Sequence, residues 1–331
     1  GKPAYTDRPI THDYLKMMNN ATFGSEQGFI TVGEMSATTI DNCILYTAPE
    51  RKELSMAFNF HHLKVDYKDG QKWTIKDFDF EELKRLFHTW GEEMSVGNGW
   101  NALFYNNHDQ PRALNRFVDI ENFRNEGATM LAASIHLSRG TPYIYMGEEI
   151  GMIDPDYNSM DDYVDVESIN AYQMLLDQGK SPEQAFKIIQ AKSRDNSRTP
   201  MQWDASENAG FSTATPWLKA GKSYPTINVE NEKNGPIFTF YQELIRLRKK
   251  LPIISEGDYR AAYHESNKVY AFERLLNGEQ LLVLNNFFPE EVEIELLDNY
   301  AQGHILISNY PDSKLGKTIT LKPYQATAIW G

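Results

Sequence analysis

The sequence contains a single cysteine, Cys43, in 331 residues. One thiol excludes an internal disulfide and a cysteine-based metal site, and the scarcity of cysteine favours a reducing compartment. We therefore expect a cytoplasmic protein. A starting methionine is also lacking, because the chain begins with Gly1, and this predicts a processed or truncated N-terminus.

Basic residues are scarce relative to acidic ones. Lys and Arg number 33 against 46 Asp and Glu, which gives a formal net charge of −13. A surface that follows a phosphate backbone or an anionic membrane needs the opposite balance, so we expect no nucleic acid and no membrane as partners. No apolar run approaches the ~20 residues of a transmembrane helix. The hydrophobic share of 41% and the aromatic share of 12% are typical of a globular protein with a large core.

Short apolar runs alternate with helical segments over the first 250 residues. The runs, each apolar on both faces as buried parallel strands are, lie at 29–34, 55–60, 102–109 and 141–147. Helical patterns lie at 13–21, 80–90, 121–137 and 237–251. This alternation predicts a parallel α/β architecture. A long excursion over 148–236, with a helix near 182–191, precedes the last helical segment.

The hydrophobic period changes to two after Pro252. Asn277-Gly278 lies between apolar runs, which is a strong hairpin signal. Apolar and acidic residues then alternate through 291–296. We predict an α/β domain over residues 1–252 and an all-β domain over 253–331.

Polar residues follow two of the predicted strands at their carboxyl ends. Glu34 ends the first run, and the segment from Asn106 to Arg112 lies at the end of the third. Because loops at that edge of a parallel sheet converge, Glu34 and Asp109 are candidates for the two carboxylates of glycoside hydrolysis. The alternative for Glu34 alone is a loop charge or a helix cap. From these residues, we expect a hydrolase or isomerase of a polar small molecule.

Four motifs identify a resemblance to a known family. They are TVGEM at 31–35, NHDQPR at 107–112, GEEIGM at 147–152 and SRDNSRTPMQW at 193–203. In this order they resemble the α-glucosidase branch of the α-amylase family (glycoside hydrolase family 13). Within that branch, residues 53–67 most resemble the members that hydrolyse trehalose 6-phosphate, which implies a phosphorylated disaccharide as the substrate.

The resemblance also implies roles for individual residues. Glu34 matches the general acid/base, and Asp109 matches the carboxylate that binds ring hydroxyls and stabilises the transition state. His108 matches a histidine that hydrogen-bonds the sugar. Arg194 or Arg198 is expected to supply a cation near the carboxylates, and the alternative is that either arginine pins the long excursion by ion pairing. No cofactor is expected and no metal site is predicted.

The motif HHLK at 61–64 bears on the choice of substrate. A phosphate brings close to two negative charges to a chain already at −13, so its binding needs local donors. His61, His62 and Lys64 are the candidates. In an extended segment His61 and His62 would point to opposite sides, so at most one would face the ligand. The alternative is a packed or solvated histidine with a surface lysine.

The carboxylate nucleophile of the resembling family has no counterpart in this sequence. Its Asp-Gly-Phe-Arg-x-Asp motif is not found upstream of Glu34. The resemblance therefore implies the C-terminal half of a (β/α)8 TIM barrel, strands 5–8, followed by a small antiparallel β-sandwich domain. We expect the chain alone to be inactive and to need the N-terminal half of the same enzyme. Alternatives are an oligo-1,6-glucosidase or dextran glucosidase, and a non-catalytic carbohydrate-binding relative.

Overall fold

The computed structural model describes residues 4–26 and 28–331, so the start of the chain at Gly1 lies outside the described residues. The helices are α1 (Pro9–Ala21), α2 (Ile40–Thr47), α3 (Phe80–Val96), α4 (Ala113–Phe117), α5 (Ile120–His136), α6 (Val166–Asp177), α7 (Pro182–Lys192), α8 (Val229–Glu232), α9 (Pro236–Lys250), α10 (Pro252–Ser255) and α11 (Asp298–Ala301). The strands are β1 (Val32–Glu34), β2 (Met56–Phe58), β3 (Ala102–Leu103), β4 (Thr141–Pro142), β5 (Asp258–Ala262), β6 (Val269–Leu276), β7 (Glu279–Asn286), β8 (Val292–Glu295), β9 (His304–Ser308), β10 (Thr318–Leu321) and β11 (Ala326–Trp330).

The first four strands run parallel in chain order. β1 pairs with β2 in the register Glu34 to Phe58, a parallel bridge joins Ala57 to Asn101 just before β3, and β3 pairs with β4. Helices lie between successive strands, so the predicted parallel α/β architecture is confirmed. The carboxyl ends of all four strands therefore meet at one edge.

These strands are shorter than the apolar runs predicted. Each of the four spans two or three residues instead of six to eight. In the third run the chain leaves the ladder after Leu103, and the Asn107 side chain accepts a hydrogen bond from the Asp109 amide at 2.9 Å. Side-chain bonds of this kind compete with strand pairing, so the carboxyl half of the run becomes loop.

The predicted helices are present, with bounds that differ by a few residues. Asp79 caps α3 by accepting the Glu82 amide, and the face predicted from Phe80 to Trp90 lies against the core. The short helices α4, α8, α10 and α11 were not predicted, and neither were two longer ones, α2 and α6. In each of these two the residue before the helix is an N-cap, Thr39 or Asp165. Among the helices described, none is long and apolar enough to cross a membrane.

The chain after Pro252 forms an antiparallel sheet and a ribbon. Five strands lie in the order β5-β6-β7-β11-β9, and β8 pairs separately with β10. The predicted hairpin is confirmed, because β6 and β7 join through Asn277 and Gly278, with φ of +51° and +88°. Two consecutive positive φ values are the signature of the two-residue hairpin turn that favours Asn-Gly.

Both faces of the five-stranded sheet are buried. Alternate residues of β6 and β7 pack against the β8–β10 ribbon, with Val269, Ala271, Leu282 and Leu284 on that face. The other face contributes Tyr270, Phe272, Leu281 and Val283 to the core that includes α5 and α9. The buried Arg274 donates to the carbonyls of Leu137 and Ile254 at 2.9 and 2.6 Å, so its guanidinium joins this sheet to the helices.

The turn at Gly278 generates a stability prediction. We expect Gly278→Ala to lower the free energy of unfolding by about 1–2 kcal/mol, because a Cβ is disfavoured at φ +88°. No heavy atom lies within 4 Å of that Cβ, so the loss has no steric part. Gly316→Ala is the matched control, since that glycine has no positive φ and its Cβ meets only ordinary contacts. Urea denaturation measures both; equal losses in the two variants would contradict the conformational explanation.

Candidate active site

The loops that follow the four parallel strands gather the predicted site residues at one edge. Glu34 is the last residue of β1, where it is exposed, and the half-buried Asp109 lies in the loop after β3. Because β2 lies between β1 and β3, strands β1 and β3 are two strand spacings apart, about 10 Å. The structure therefore places the two carboxylates at the same edge, one at the end of β1 and the other in the loop after β3.

Both candidate arginines contact Asp109. Arg198 Nη2 donates to Asp109 Oδ1 at 2.9 Å, and Arg194 Nη1 lies 3.4 Å from the same oxygen. Arg198 Nε also donates to the carbonyl of His108 at 2.7 Å, and the exposed His108 ring lies 3.7 Å from Asp109 Oδ2. The sequence left open whether Arg194 or Arg198 lies near the carboxylate, and in the structure both arginines contact Asp109.

A second acid, Asp165, also contacts the two arginines, and it lies within the long excursion over 148–236. Arg194 Nη2 donates to Asp165 Oδ1 at 2.7 Å, and Arg198 Nη1 lies 3.6 Å from that oxygen. Burial raises the pKa of Asp165, but the hydrogen bond and charge of Arg194 outweigh it and hold the pKa below its ordinary value. The arginines thus also pin the excursion, as the alternative interpretation expected.

Asp165 was missed by the sequence analysis. Its backbone is fixed by Asp195, whose Oδ2 accepts the amides of Val164 and Asp165 at 2.8 and 2.9 Å. The available signal was its place as the N-cap of α6, since its side chain accepts the Ser168 amide. The N-cap role by itself explains an acid at position 165, so the sequence alone does not indicate that Asp165 belongs to the candidate active site.

The HHLK segment is helical rather than extended, which corrects the geometry expected for it. Residues His61–Lys64 form one turn of 3-10 helix. His62 points inward, is 7% exposed, and has Nε2 2.7 Å from the Phe104 carbonyl. Burial lowers the pKa of His62 to about 4, so the ring is neutral at pH 7. The structure does not bring His62 to the site edge.

His61 and Lys64 lie against the loop that follows Glu34. His61 Nε2 is 2.9 Å from the Thr38 carbonyl, and Lys64 Nζ donates to the Ser36 carbonyl at 3.1 Å. The His61 ring also stacks on Trp90 with centroids 5.4 Å apart. The carbonyls that they contact, at Ser36 and Thr38, follow Glu34 closely in the chain, so the two side chains lie near the predicted acid.

A buried acid in the same segment, Asp66, anchors the HHLK turn and was also missed. Asp66 Oδ1 accepts Arg116 Nη2 at 2.8 Å, and Oδ2 accepts Lys192 Nζ at 2.7 Å. Burial raises the pKa of Asp66, but the two cations outweigh it and hold that pKa below its ordinary value. The three side chains are nearly inaccessible, so this contact joins β2's loop to α4 and α7 inside the protein.

The two acids that follow β4 have different environments. Glu149 Oε2 accepts the Gly147 amide at 2.8 Å and so caps its own turn. Glu148 instead points inward, where it accepts Asn106 Nδ2 at 2.7 Å and the Tyr241 hydroxyl at 3.1 Å. Burial raises the pKa of Glu148 to about 7, because these hydrogen bonds only partly compensate the lost hydration.

In residues 4–26 and 28–331, no three His, Cys, Asp or Glu side chains are grouped as a metal ion would require.

Comparison with known proteins assigns the chain to a family. The family model described as "Alpha amylase, catalytic domain" matches residues 1–257, and the family model described as "Alpha-amylase SusG C-terminal domain" matches residues 269–327. The chain belongs to the α-amylase family. The resemblance seen in the four motifs is thereby confirmed, and so is a catalytic-domain fold followed by an antiparallel C-terminal sheet.

Relatives within the α-amylase family are similar over nearly the whole chain. Trehalose-6-phosphate hydrolase of Bacillus subtilis is 45% identical, over 98% of this chain and 59% of its own length. Oligo-1,6-glucosidase of Parageobacillus thermoglucosidasius is 41% identical with the same coverage. The crystal structure of Bacillus licheniformis trehalose-6-phosphate hydrolase is 47% identical, with a TM-score of 0.94 over 98% of this chain and 60% of that one. The chain thus spans about three fifths of these relatives.

The Asp66 contact generates the prediction for this site. We expect Asp66→Asn to lower the free energy of unfolding by about 3–5 kcal/mol, because two buried cations lose their counter-charge. The control, Glu243→Gln, removes the same charge from an exposed pair with Arg246 and is expected to cost less than about 1 kcal/mol. Chemical denaturation of both variants measures the difference; a loss of under about 1 kcal/mol for Asp66→Asn would contradict the argument.

Proposed function

We propose that the chain supplies the acid/base side of a retaining glycosidase that hydrolyses trehalose 6-phosphate to glucose and glucose 6-phosphate. The observation that carries the proposal is the meeting of Glu34 and Asp109 at one strand edge, with Arg194 and Arg198 on Asp109. Glu34 protonates the glycosidic oxygen and then activates water, while Asp109 and His108 bind ring hydroxyls. The names of similar proteins support the reaction class.

The strand spacing supports a nucleophile from outside the four strands. Retaining enzymes hold their two carboxyl groups about 5–5.5 Å apart, and one strand spacing is close to that distance. Asp109 lies in a loop beyond β3, which is two strand spacings from β1, so a strand directly beside β1 is the better placed carrier of the nucleophile. Among the described residues, β1 pairs only with β2, so its other edge is open to one more strand. We propose that this strand brings the nucleophile.

The open edges support completion by the N-terminal half of the same enzyme. Phe29 and Ile30, beside β1, are 57% and 70% exposed, and Ile144 and Met146, beyond β4, are partly exposed as well. Apolar side chains and unpaired strand edges at both ends of four parallel strands are what further strands of a (β/α)8 barrel would cover. On this proposal the chain alone is inactive.

A positive group near Glu34 supports a phosphorylated substrate. Lys64, on the HHLK turn, contacts the loop after Glu34 and is the proposed phosphate contact, with His61 beside it. His62 is left out of the proposed phosphate site because it is buried and neutral. A cytoplasmic location belongs to the same proposal, since sugar phosphates are intracellular metabolites. The second candidate is an oligo-1,6-glucosidase, which the 41% identity to such an enzyme favours.

Completion of the barrel tests the reaction. The chain is joined to the N-terminal segment of the Bacillus subtilis relative that it does not match, and glucose release is measured with trehalose 6-phosphate and with isomaltose. We expect turnover of trehalose 6-phosphate by the joined protein and none by the 331-residue chain. Glu34→Gln is expected to lower kcat by about 10²-fold or more, since it removes the acid/base. The control Glu50→Gln changes an exposed carboxylate on a separate turn and is expected to have no effect.

Each other outcome points to a defined alternative. Turnover by the chain alone would refute its inactivity and the need for an outside nucleophile. Preference for isomaltose would move the assignment to the oligo-1,6-glucosidases. A joined protein that is folded by circular dichroism, binds sugar and turns over neither compound would support the non-catalytic relative.

Lys64 gives a separate test of the phosphate contact. We expect Lys64→Met in the joined enzyme to raise KM for trehalose 6-phosphate about tenfold or more, because a charge-assisted contact is lost. Lys68→Met is the control, since Lys68 is an exposed lysine four residues further along. The quantity to compare is the ratio of kcat/KM for trehalose 6-phosphate to that for unphosphorylated trehalose. An unchanged ratio in Lys64→Met would remove Lys64 from the phosphate site.

A further inference from the structure

The loop that carries Asp109 is closed at its base by Asn106. We call residues 107–112 the Asp109 loop. Asn106 Oδ1, on one side of this loop, accepts the amide of Ala113, on the other side, at 2.8 Å. The Asn106 side chain therefore acts as a clasp across the two ends of the Asp109 loop.

Glu148 fixes the direction in which that clasp faces. An asparagine amide group only donates and its carbonyl oxygen only accepts. Glu148 Oε2 accepts Asn106 Nδ2 at 2.7 Å, so Oδ1 is left facing Ala113. If the Asn106 side chain flipped, its amide would meet the Ala113 amide, and two donors would face each other. Glu148 is held in turn by the Tyr241 hydroxyl on α9 at 3.1 Å.

We propose that Glu148 is a positioning residue which, through Asn106, holds the Asp109 loop in the conformation that presents Asp109 to the sugar. The proposal rests on the proposed glycosidase function, and Glu148 itself does not touch the substrate in it. Glu148 and Asn106 are linked to Asp109 through the backbone of the Asp109 loop. That loop also contains a turn in which the Asn107 side chain accepts a hydrogen bond from the Asp109 amide.

Beyond these partners the lining of the space beside Glu148 is mostly apolar, and the charged groups near it are Arg112 and Glu149. A cavity of about 20 Å³, about the room that one water molecule needs, lies beside it and is lined by Leu114, Leu131 and Met152. Burying a carboxyl group in such a place costs stability unless it is hydrogen-bonded. A leucine of similar size would fit the apolar lining, so replacement of Glu148 by leucine removes the acceptor that orients the Asn106 clasp without placing a new polar group in the core.

Other hydrogen bonds also hold the backbone of the Asp109 loop. The Arg112 amide donates to Asp154 Oδ1 at 2.8 Å, and Arg198 Nε donates to the His108 carbonyl at 2.7 Å. Because these contacts remain when Glu148 is replaced, the loop loses its closed base but stays attached. We therefore expect replacement of Glu148 to change how precisely the Asp109 side chain is positioned, while the Asp109 loop stays attached to the protein.

The test compares Glu148→Leu, Glu148→Gln and Tyr241→Phe. Gln retains an oxygen for Asn106, and the Tyr241 hydroxyl can turn to accept from its amide, so Glu148→Gln is expected to keep kcat within about twofold. Glu148→Leu is expected to lower kcat in the joined enzyme about tenfold or more, with a smaller change in KM, since small misplacements of a catalytic group are costly. Tyr241→Phe leaves the Asn106 contact intact and is the matched control, expected within about twofold of the parent.

Hydrogen exchange gives a readout that needs no activity. In the 331-residue chain, Glu148→Leu is expected to speed amide exchange at 107–113 about fivefold or more, while the β6–β7 hairpin is unchanged. Asn106→Ala is expected to do the same with Glu148 intact, which covers the case in which Glu148→Leu fails to fold. Unchanged exchange at 107–113 in the folded variant would overturn the proposal, and so would exchange that rises equally in the hairpin, because that indicates general destabilisation.

The two proposals fail in different ways. If the joined parent enzyme has no glycosidase activity, the proposed function fails, whereas the exchange at 107–113 still reports on the clasp. If the parent is active and Glu148→Leu retains its kcat, the positioning role fails and the proposed function stands.

Discussion

The paired contacts of Asp109 and Asp165 with Arg194 and Arg198 join the loop after β3 to the long excursion that follows β4. Strands of two or three residues set the direction of the loops but hold them weakly, so side chains must fix their positions. The planar guanidinium group suits this task, because it donates in several directions and one arginine can bind two carboxylates. The arginines are partly buried, which protects the contacts from screening by salt.

Two acids beneath this layer, Asp66 and Glu148, show how local charge decides the state of a buried carboxyl group. Two cations surround Asp66, and its pKa falls despite burial. The hydrogen bonds to Glu148 from Asn106 and Tyr241 come from neutral groups, and burial raises its pKa. Each acid holds one loop of the site edge. Asp66 holds the HHLK turn by charge, and Glu148 holds the base of the Asp109 loop by hydrogen bonds.

The C-terminal sheet covers the helices of the α/β part. One of its faces joins the core that contains α5 and α9, and Arg274 extends from it to carbonyl groups on the other side of the boundary. This sheet therefore covers α5 and α9 but leaves Tyr14 and Met17 of α1 exposed. The apolar side chains beside β1 and beyond β4 remain exposed as well, at the two ends of the row of four strands.

The sequence by itself determined the family, the parallel order, the hairpin at Asn277-Gly278 and the positions of Glu34 and Asp109, since each depends on residues close together in the chain. Local pattern also predicted the apolar faces of α3 and α9, but not α2 and α6, whose caps were overlooked. Tertiary structure decided that His62 is buried, that both arginines reach Asp109, and that Asp66 and Glu148 turn inward. Burial and charge pairing join residues distant in sequence, and only the folded chain brings their desolvation and their partners together.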